Sequence, residues 1–395
     1  MNYDLLIKNG NIIDPSQNIN KVSDLAIKDG KIADIQDVID YKLAKEVIDA
    51  KGKIVSPGLI DLHVHSFWGG SIYGIDPDLT LISKGVTTAL DAGSTGSVNF
   101  PAFRNHVIDK SKTSIYALLN VSSIGMISNN YGEIENMKWF DYDSTIEVAE
   151  DNRDLIIGIK ARLGRVQAGE NDIEALKRAI ELAEAINGIL MIHIGNSPTP
   201  LPKLIQMLRE GDIVTHSFHG IGDGILENSG KVVESMKEAQ SKGIIIDVGH
   251  GAGGFSFKSA DKAMSNGLLP SNISSDLHIG NIEGPVFDLL TTLTKFMYLG
   301  MSLYDVVNLC TNKTAQIMAK DKIGTLKVGS IADITIFHEE EGKFKLYDRT
   351  SYSYMNPANK IGPSDWALPQ VVISDKRLSH SYTIKNGVVY RPWLK

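Results

Sequence analysis

Apolar and polar positions divide the chain into two outer stretches and a long middle. Over residues 1–55, short apolar runs are broken by turn dipeptides: Asp4–Lys8, Asn9-Gly10, Asn11–Ile13, Asp24–Ile27, Asp29-Gly30 and Ile32–Ile35. Strand-length runs bounded by Asn-Gly or Asp-Gly predict β-hairpins. The other end repeats the texture with Ala332–Phe337, Tyr382–Lys385, Asn386-Gly387 and Val388–Tyr390. Neither end alone has enough strands for a stable sheet. The two are therefore expected to combine into one small β-sandwich domain, residues 1–55 plus 325–395.

The middle, residues 56–324, alternates strand-length apolar runs with helix-period stretches. The strand candidates are Leu59–Val64, Thr87–Asp91, Ile115–Val121, Leu155–Ala161, Ile189–His193, Asp212–His216, Ile244–Val248 and Asn272–Asp276; helices are expected over Asp172–Ile186 and Ser229–Lys242. Eight such runs, mostly separated by helices, predict parallel βα units and an α/β fold. An open doubly wound sheet would alternate in the same way. Metal-type residues close at least five of the runs, and active sites of (β/α)8 barrels collect at the carboxyl ends of strands. A (β/α)8 TIM barrel is the expected architecture of this stretch.

Composition narrows the class. With 395 residues, 43% of them hydrophobic, the chain can build a large core and a second, smaller unit. A net charge of −7 offers no footing for nucleic acid or an anionic membrane. The single cysteine, Cys310, allows no internal disulfide, which fits a reducing compartment. The start MNYDLLIKNGNIIDP lacks a basic segment followed by an apolar one, and no apolar run approaches the roughly 18 residues of a membrane helix. A cytoplasmic protein acting on a small molecule is expected.

The strongest chemical signal is Ser56-Pro57-Gly58-Leu59-Ile60-Asp61-Leu62-His63-Val64-His65. Alternate side chains of a strand share a face, so His63 and His65 point the same way, about 7 Å apart along it. A bare His-x-His is more often two unrelated histidines. Here the preceding residues matter: Pro57 to His65 resembles the first-strand signature of the amidohydrolase superfamily. The run Gly324-Thr325-Leu326-Lys327-Val328-Gly329-Ser330-Ile331-Ala332-Asp333 resembles that superfamily's return into its β-sandwich. The likeness spans nearly the whole chain. It implies a (β/α)8 barrel with a β-sandwich made from both chain ends, in agreement with the pattern above. Homo-oligomers are common in the superfamily.

The resemblance also implies a site. Lys160 closes the run Ile156-Ile157-Gly158-Ile159. Alone it reads as a lysine snorkelling from a barrel rim; in binuclear members a lysine here is carboxylated by carbon dioxide, and the carbamate bridges two metal ions. His193 and His216 close the next two strands and match the superfamily's fifth- and sixth-strand histidines. Asp276 closes Asn272-Ile273-Ser274-Ser275 and matches the eighth-strand aspartate, ligand and proton carrier together; by itself it could cap a helix. His63, His65 and Asp276 would hold one ion, His193 and His216 the other, with Lys160 shared. Nitrogen and oxygen ligands suit zinc, and also manganese, iron or cobalt. Metal-activated hydroxide would attack a carbonyl, with Asp276 as general base and then acid.

Substrate-binding candidates lie on loops, where sequence is least informative. Arg162 shares a face with Lys160 and would pair a substrate carboxylate or, equally, form a structural salt bridge. Asn196, His219, His250 and His278 follow ligand-bearing strands, and Trp68-Gly69-Gly70 could form part of a lid. The segments Thr215-His216-Ser217-Phe218-His219-Gly220 and Ser274-Ser275-Asp276-Leu277-His278 resemble a deacetylase-like and dihydroorotase-like branch. That branch implies hydrolysis of an amide, cyclic amide or ester in a small carboxylate-bearing substrate. A mononuclear deaminase would carry His-x-x-Glu after the fifth strand, whereas His193 is followed at that spacing by Asn196. A non-catalytic scaffold would be expected to have lost ligands, and six candidates are present.

Overall fold

The computed structural model describes residues 2–128, 130–220, 224–227, 229–349 and 369–391. Two sheets organise the chain. One is parallel and seven-stranded, its strands lying side by side in sequence order: Leu59–Val64, Val86–Ala92, Ser114–Asn120, Ile156–Arg162, Ile189–His193, Ile213–Thr215 and Ile245–Ile246. Helices Asp172–Ala185, Leu201–Ile205 and Glu234–Ser241 fall between successive strands. The strands are nearly continuous apolar runs because both faces are covered. Ile60, Leu62, Leu90, Leu118, Met191 and Ile213 pack on one another. Leu59, Ala89, Ala117, Ile159, Leu190 and Val214 instead join a cluster with helical residues such as Leu176, Ala179 and Leu204.

The sheet is a curled half-barrel rather than a plane, and the segment beyond its last strand reaches back toward its first. Asn272 bridges to Asp247 in parallel and Leu277 bridges to Val64 in parallel. Main-chain bonds run from His250 N to Ser274 O (3.2 Å), from Gly251 N to Ser275 O (3.0 Å) and from His65 N to Leu277 O (3.0 Å). Residues 272–277 are thus paired on both sides, without the regular strand that the composition of Asn272–Asp276 predicts.

The second sheet is mixed and has eight strands drawn from both chain ends. Val388–Tyr390, Val371–Lys385, Ile334–Tyr347, Ile54–Pro57, Tyr3–Asp14, Ile19–Lys28 and Lys31–Gln36 lie in that order, with Ala44–Asp49 pairing Tyr3–Asp14. The ends do combine, in one continuous hydrogen-bonded sheet whose outer hairpins come together, a Cβ on Gly30 standing 3.0 Å from Asn386 O. Its own core includes Leu5, Ile7, Ile12, Leu25, Val55, Ile334, Ile336 and Ile384. Asp29-Gly30 and Asn386-Gly387 are hairpin turns with positive φ at both positions. Asn9-Gly10 is not a turn: the strand runs through it, with a register shift between Ile7 and Gly10 and Asn9 at φ 58°. A left-handed Asn serves a bulge as well as a turn.

Pro57-Gly58 carries the chain from one sheet to the other. Ile54–Pro57 pairs with Ile334–Phe337, while Leu59 already belongs to the parallel sheet. Gly58 donates to Asp333 O at 2.8 Å, and a Cβ there would stand 2.2 Å from Thr87 Oγ1. The glycine permits that crossing. Helix Asp172–Ala185 matches expectation, whereas the helix expected over Ser229–Lys242 begins only at Glu234, because Gly230 has φ 81° and Leu226 bridges Val232. Among the described residues no helix is long and apolar enough to cross a membrane.

Candidate metal centre

Register sets the level at which the polar side chains emerge. Lys160 pairs with Asn120 and Met191 across the parallel strands, and Arg162 pairs with His193, which pairs with Thr215. Parallel strands end together, so residues closing different strands meet at one rim. His63, His65, Lys160, His193, His216 and Asp276 all converge there. The His63 ring lies 5.4 Å from that of His65 and 5.2 Å from that of His216, and His193 lies 4.5 Å from His216. Asp276 Oδ1 is 3.3 Å from His63 Nε2 and 3.2 Å from His65 Nε2. Lys160 Nζ is 3.5 Å from His63 Nε2 and 3.1 Å from Met191 Sδ.

Three of the histidines are oriented through Nδ1, and the hydrogen-bond pattern assigns their tautomers. His216 Nδ1 lies 2.6 Å from Gly249 O, a pure acceptor, so Nδ1 carries the hydrogen. His63 Nδ1 meets Thr215 Oγ1 at 2.9 Å, and that hydroxyl donates to Asp247 Oδ2 at 2.6 Å. His65 Nδ1 meets Ser94 Oγ at 3.0 Å, and Ser94 donates to Asp91 Oδ2 at 2.9 Å. In each relay the hydroxyl oxygen is left to accept from the imidazole. All three Nε2 atoms therefore present lone pairs.

Those lone pairs face an oxygen that has no hydrogen to offer. Asp276 Oδ1 is buried and has no hydrogen-bond partner among the described residues. Two ring nitrogens and a carboxylate oxygen at 3.2–3.3 Å would repel one another unless a cation lay among them. Ligands about 2.0–2.1 Å from a tetrahedral ion stand about 3.3 Å apart, so the residues fit a divalent ion. Ligand atoms of His63, His216 and Asp276 all lie within 4.8 Å of one another. Burial supplies the protonation states that binding requires. It holds His63 and His193 well below the usual imidazole range, and pulls His65 to about 3 and His216 to about 4. It also pulls the Lys160 ammonium down to about 7. His216 and Asp276 have φ of 62° and 48°, left-handed conformations uncommon for non-glycine residues.

The substrate-binding candidates divide. Arg162 lies beside the cluster, its Nη2 2.8 Å from Glu133 Oε1 and its guanidinium 5.5 Å from the Tyr73 ring centre. His278 joins the same wall, 5.2 Å from Tyr73 and 6.4 Å from His65. His219 is buried and lies one turn from His216, its amide on the His216 carbonyl at 3.2 Å; Asn196 is buried after the His193 strand, with φ 56°. His250 is not brought to the rim. It is fully buried, stacked on Phe255 at 4.7 Å, with Nε2 2.7 Å from Lys295 Nζ. Trp68 is exposed beside the first strand.

Sequence reasoning missed the supports: Thr215, Asp247, Ser94, Asp91, Glu133 and Tyr73. Asp91 and Asp247 left a trace, as carboxylates within otherwise apolar strand runs. Asp61 left the same trace. It accepts from the Ser275 amide at 2.9 Å and from the His63 amide at 3.3 Å, which ties the first ligand strand to the residue before Asp276. Burial pushes the Asp61 carboxyl up to about 7.

Comparison with known proteins places these features in a family setting. The sequence profile of the amidohydrolase family matches residues 54–389. A protein named deacetylase from Agrobacterium fabrum is 37% identical over 311 residues, 78% of this chain and 76% of that one. A deacetylase from Enterococcus faecalis is 36% identical over 342 residues, 85% of this chain and 90% of that one. A solved structure described as an adenine deaminase superposes with a TM-score of 0.87 at 32% identity, covering 98% of this chain and 100% of that one. A solved dihydroorotase gives 0.87 at 30%, covering 98% and 97%.

Proposed function

The chain belongs to the amidohydrolase family, and from that premise we propose a binuclear hydrolase that opens an amide or ester bond in a small carboxylate-bearing substrate, in the manner of a deacetylase. The family makes it a metal-dependent hydrolase acting on C–N bonds. The observation that carries the fuller reading is Asp276 Oδ1, without a hydrogen-bond partner among the described residues and faced by imidazole lone pairs of buried strand-end residues.

On this reading residues 56–324 form a closed (β/α)8 barrel, and residues 1–55 with 325–395 form the second domain. The main-chain bonds on both sides of residues 272–277 support closure. His63, His65 and Asp276 would hold one ion and His193 with His216 the other, zinc being suited to the donor set. Lys160 would be shared. Its amine is buried beside His63 and Met191 and sheds its proton near neutrality. A neutral amine adds to carbon dioxide with loss of one proton, giving an anionic carbamate in place of a buried cation.

Bound ions would supply Lewis acidity at the scissile carbonyl and acidify water enough for attack at neutral pH. The chain supplies the rest. Asp276 Oδ1 takes the proton from the attacking water and returns it to the departing nitrogen or oxygen. The Thr215–Asp247 and Ser94–Asp91 relays hold His63 and His65 in the tautomer that keeps Nε2 inward. Arg162, steadied by Glu133 and Tyr73, is the cation placed for the substrate carboxylate; Asn196, His219 and His278 would line the pocket around it.

The test is elemental analysis of protein purified without chelators, together with hydrolysis of N-acetyl amino acids, dihydroorotate and adenine. About two metal ions per chain with turnover of an N-acyl amino acid is the expected result. Turnover of dihydroorotate alone would favour a cyclic amide, a reading encouraged by the dihydroorotase neighbour. One ion with adenine turnover would overturn the binuclear scheme.

A further inference from the structure

Outside the ligand cluster, the described residues hold one other fully buried lysine in a polar contact that the chemistry above does not use. Lys295 lies in helix Leu289–Tyr298, and its side chain has no exposure to solvent. Its Nζ is 2.7 Å from His250 Nε2 and 2.8 Å from Pro285 O. His250 Nδ1 is 2.9 Å from Gly251 O. A carbonyl only accepts, so Nδ1 carries the hydrogen and Nε2 accepts from the lysine. The pair is fully matched when the amine is neutral, since two N–H groups meet two acceptors. Burial pulls that amine down to about 7.

A buried lysine is costly unless something is gained by it. What lies next to this one is the main chain of residues 249–251. Gly249 O accepts from His216 Nδ1 at 2.6 Å and so sets the tautomer of that imidazole. Gly249 N donates to Ser274 Oγ at 3.0 Å, and the amides of His250 and Gly251 donate to Ser274 O and Ser275 O, the two residues before Asp276. Gly251, at φ 55°, packs so closely that a Cβ would stand 2.4 Å from Asp276 Oδ2. These three residues touch one ligand by a hydrogen bond and a second by direct packing. Glycines flank His250 on both sides, so its side chain is the anchor that ties this main chain to the helical layer, and Lys295 is where the anchor is fastened.

We propose that Lys295 is a positioning residue that, through His250, holds the main chain of residues 249–251 against His216 and Asp276 and so sets the geometry of metal binding. The proposal rests on the reading of His216 and Asp276 as metal ligands. It assigns His250 to support of the centre, not to the substrate pocket.

The test uses the full chain as wild type, K295M and the double variant K295M/H250F, with three measurements. These are zinc affinity by chelator competition, the visible absorption of the cobalt-loaded protein, and thermal stability of the metal-free protein. K295M should lower zinc affinity about tenfold, the low end for outer supports of metal ligands, and should change the intensity of the cobalt bands. It should also lower stability by orphaning the His250 lone pair. In the double variant a phenyl ring replaces the imidazole against Phe255 and the imidazole lone pair is gone, so only the Pro285 and Gly251 carbonyls lack their former donors; stability should recover in large part while affinity and spectrum stay altered. A purely structural pair would behave otherwise: affinity would return together with stability. That result, or K295M with wild-type affinity and spectrum, overturns the proposal. Wild-type protein that takes up no metal would instead overturn the reading beneath it, and the proposal with it.

Discussion

The mixed sheet of the chain ends and the carboxyl rim of the parallel sheet are built from the same kinds of strand, yet they treat polar groups in opposite ways. In the mixed sheet buried charges are answered. Lys385 Nζ meets Asp333 Oδ2 at 2.6 Å, and Asp24 accepts from Lys8, Asn9 N and Ile39 N. Its left-handed residues include Asn9, Asp29 and Asn386, types that tolerate that conformation in bulges and turns. At the rim a buried carboxylate oxygen has no hydrogen-bond partner among the described residues, imidazoles are held neutral, a lysine is pulled to about 7, and His216 and Asp276 adopt positive φ. One region is arranged for stability alone. The other stores unfavourable contacts that a bound cation would relieve, and the rest of the fold tolerates them.

The contrast can be broken first at Asp276. Asp276→Asn would remove the proposed proton carrier and the buried carboxylate together. It should lower kcat about 10²- to 10⁴-fold while leaving the metal-free protein at least as stable, since a repulsive buried group is gone. Steady-state kinetics and thermal denaturation on one preparation check both halves. Retention of most of the activity would remove Asp276 from the mechanism, and a large loss of stability would mean the rim is structural.

The opposite profile is expected at Ile384, which is fully buried in the core of the mixed sheet. Ile384→Ala should cost about 2–5 kcal/mol of folding stability, with metal stoichiometry and kcat per folded molecule unchanged. If metal content fell in step with stability, the two regions would be a single energetic unit.

Next in size is the response of Lys160 to pH. Carboxylation needs the neutral amine, and burial pulls its pKa from about 10.5 to about 7. At a fixed concentration of dissolved carbon dioxide, reactivation of metal-free protein should quicken as pH rises through 7. It should slow about tenfold for each unit below, as the neutral fraction falls. A midpoint near that of free lysine would mean the amine is not desolvated, and reactivation independent of carbon dioxide would exclude the carbamate.

How much of this could be read from the sequence follows the same division. The strand-closing residues that the structure brings together were legible as candidates because an apolar run that ends in His, Lys or Asp marks the residue and its place at once. The parallel order of the strands was legible for another reason, the alternation of strand-length apolar runs with helix-period stretches. The supports were not, since each depends on a contact between distant residues: His63 with Thr215 and Ser275 with Asp61 are 152 and 214 positions apart. A threonine in a strand reads only as a good β-former. His250 misled because a histidine in a glycine-rich loop suggests a pocket, while the structure turns it inward to Lys295. Asn9-Gly10 misled because one conformation serves two purposes.

The smallest effect is expected at Lys21 and Asp37, on the same mixed sheet as Ile384. Their ion pair spans 2.7 Å, but the side chains are 58% and 81% exposed. Water and salt screen such a pair, and fixing two long side chains offsets most of the remaining attraction. Lys21→Ala should leave the denaturation midpoint within experimental error, at low and high salt alike, with activity unchanged. This variant sharpens the comparison because it separates what the mixed sheet contains from what holds it together. If the sheet is stable through its apolar core, Ile384 matters and Lys21 does not. A salt-dependent loss of several degrees in Lys21→Ala would show instead that surface charge carries part of the load. The mixed sheet would then owe its tolerance of change to its rim as much as to its core.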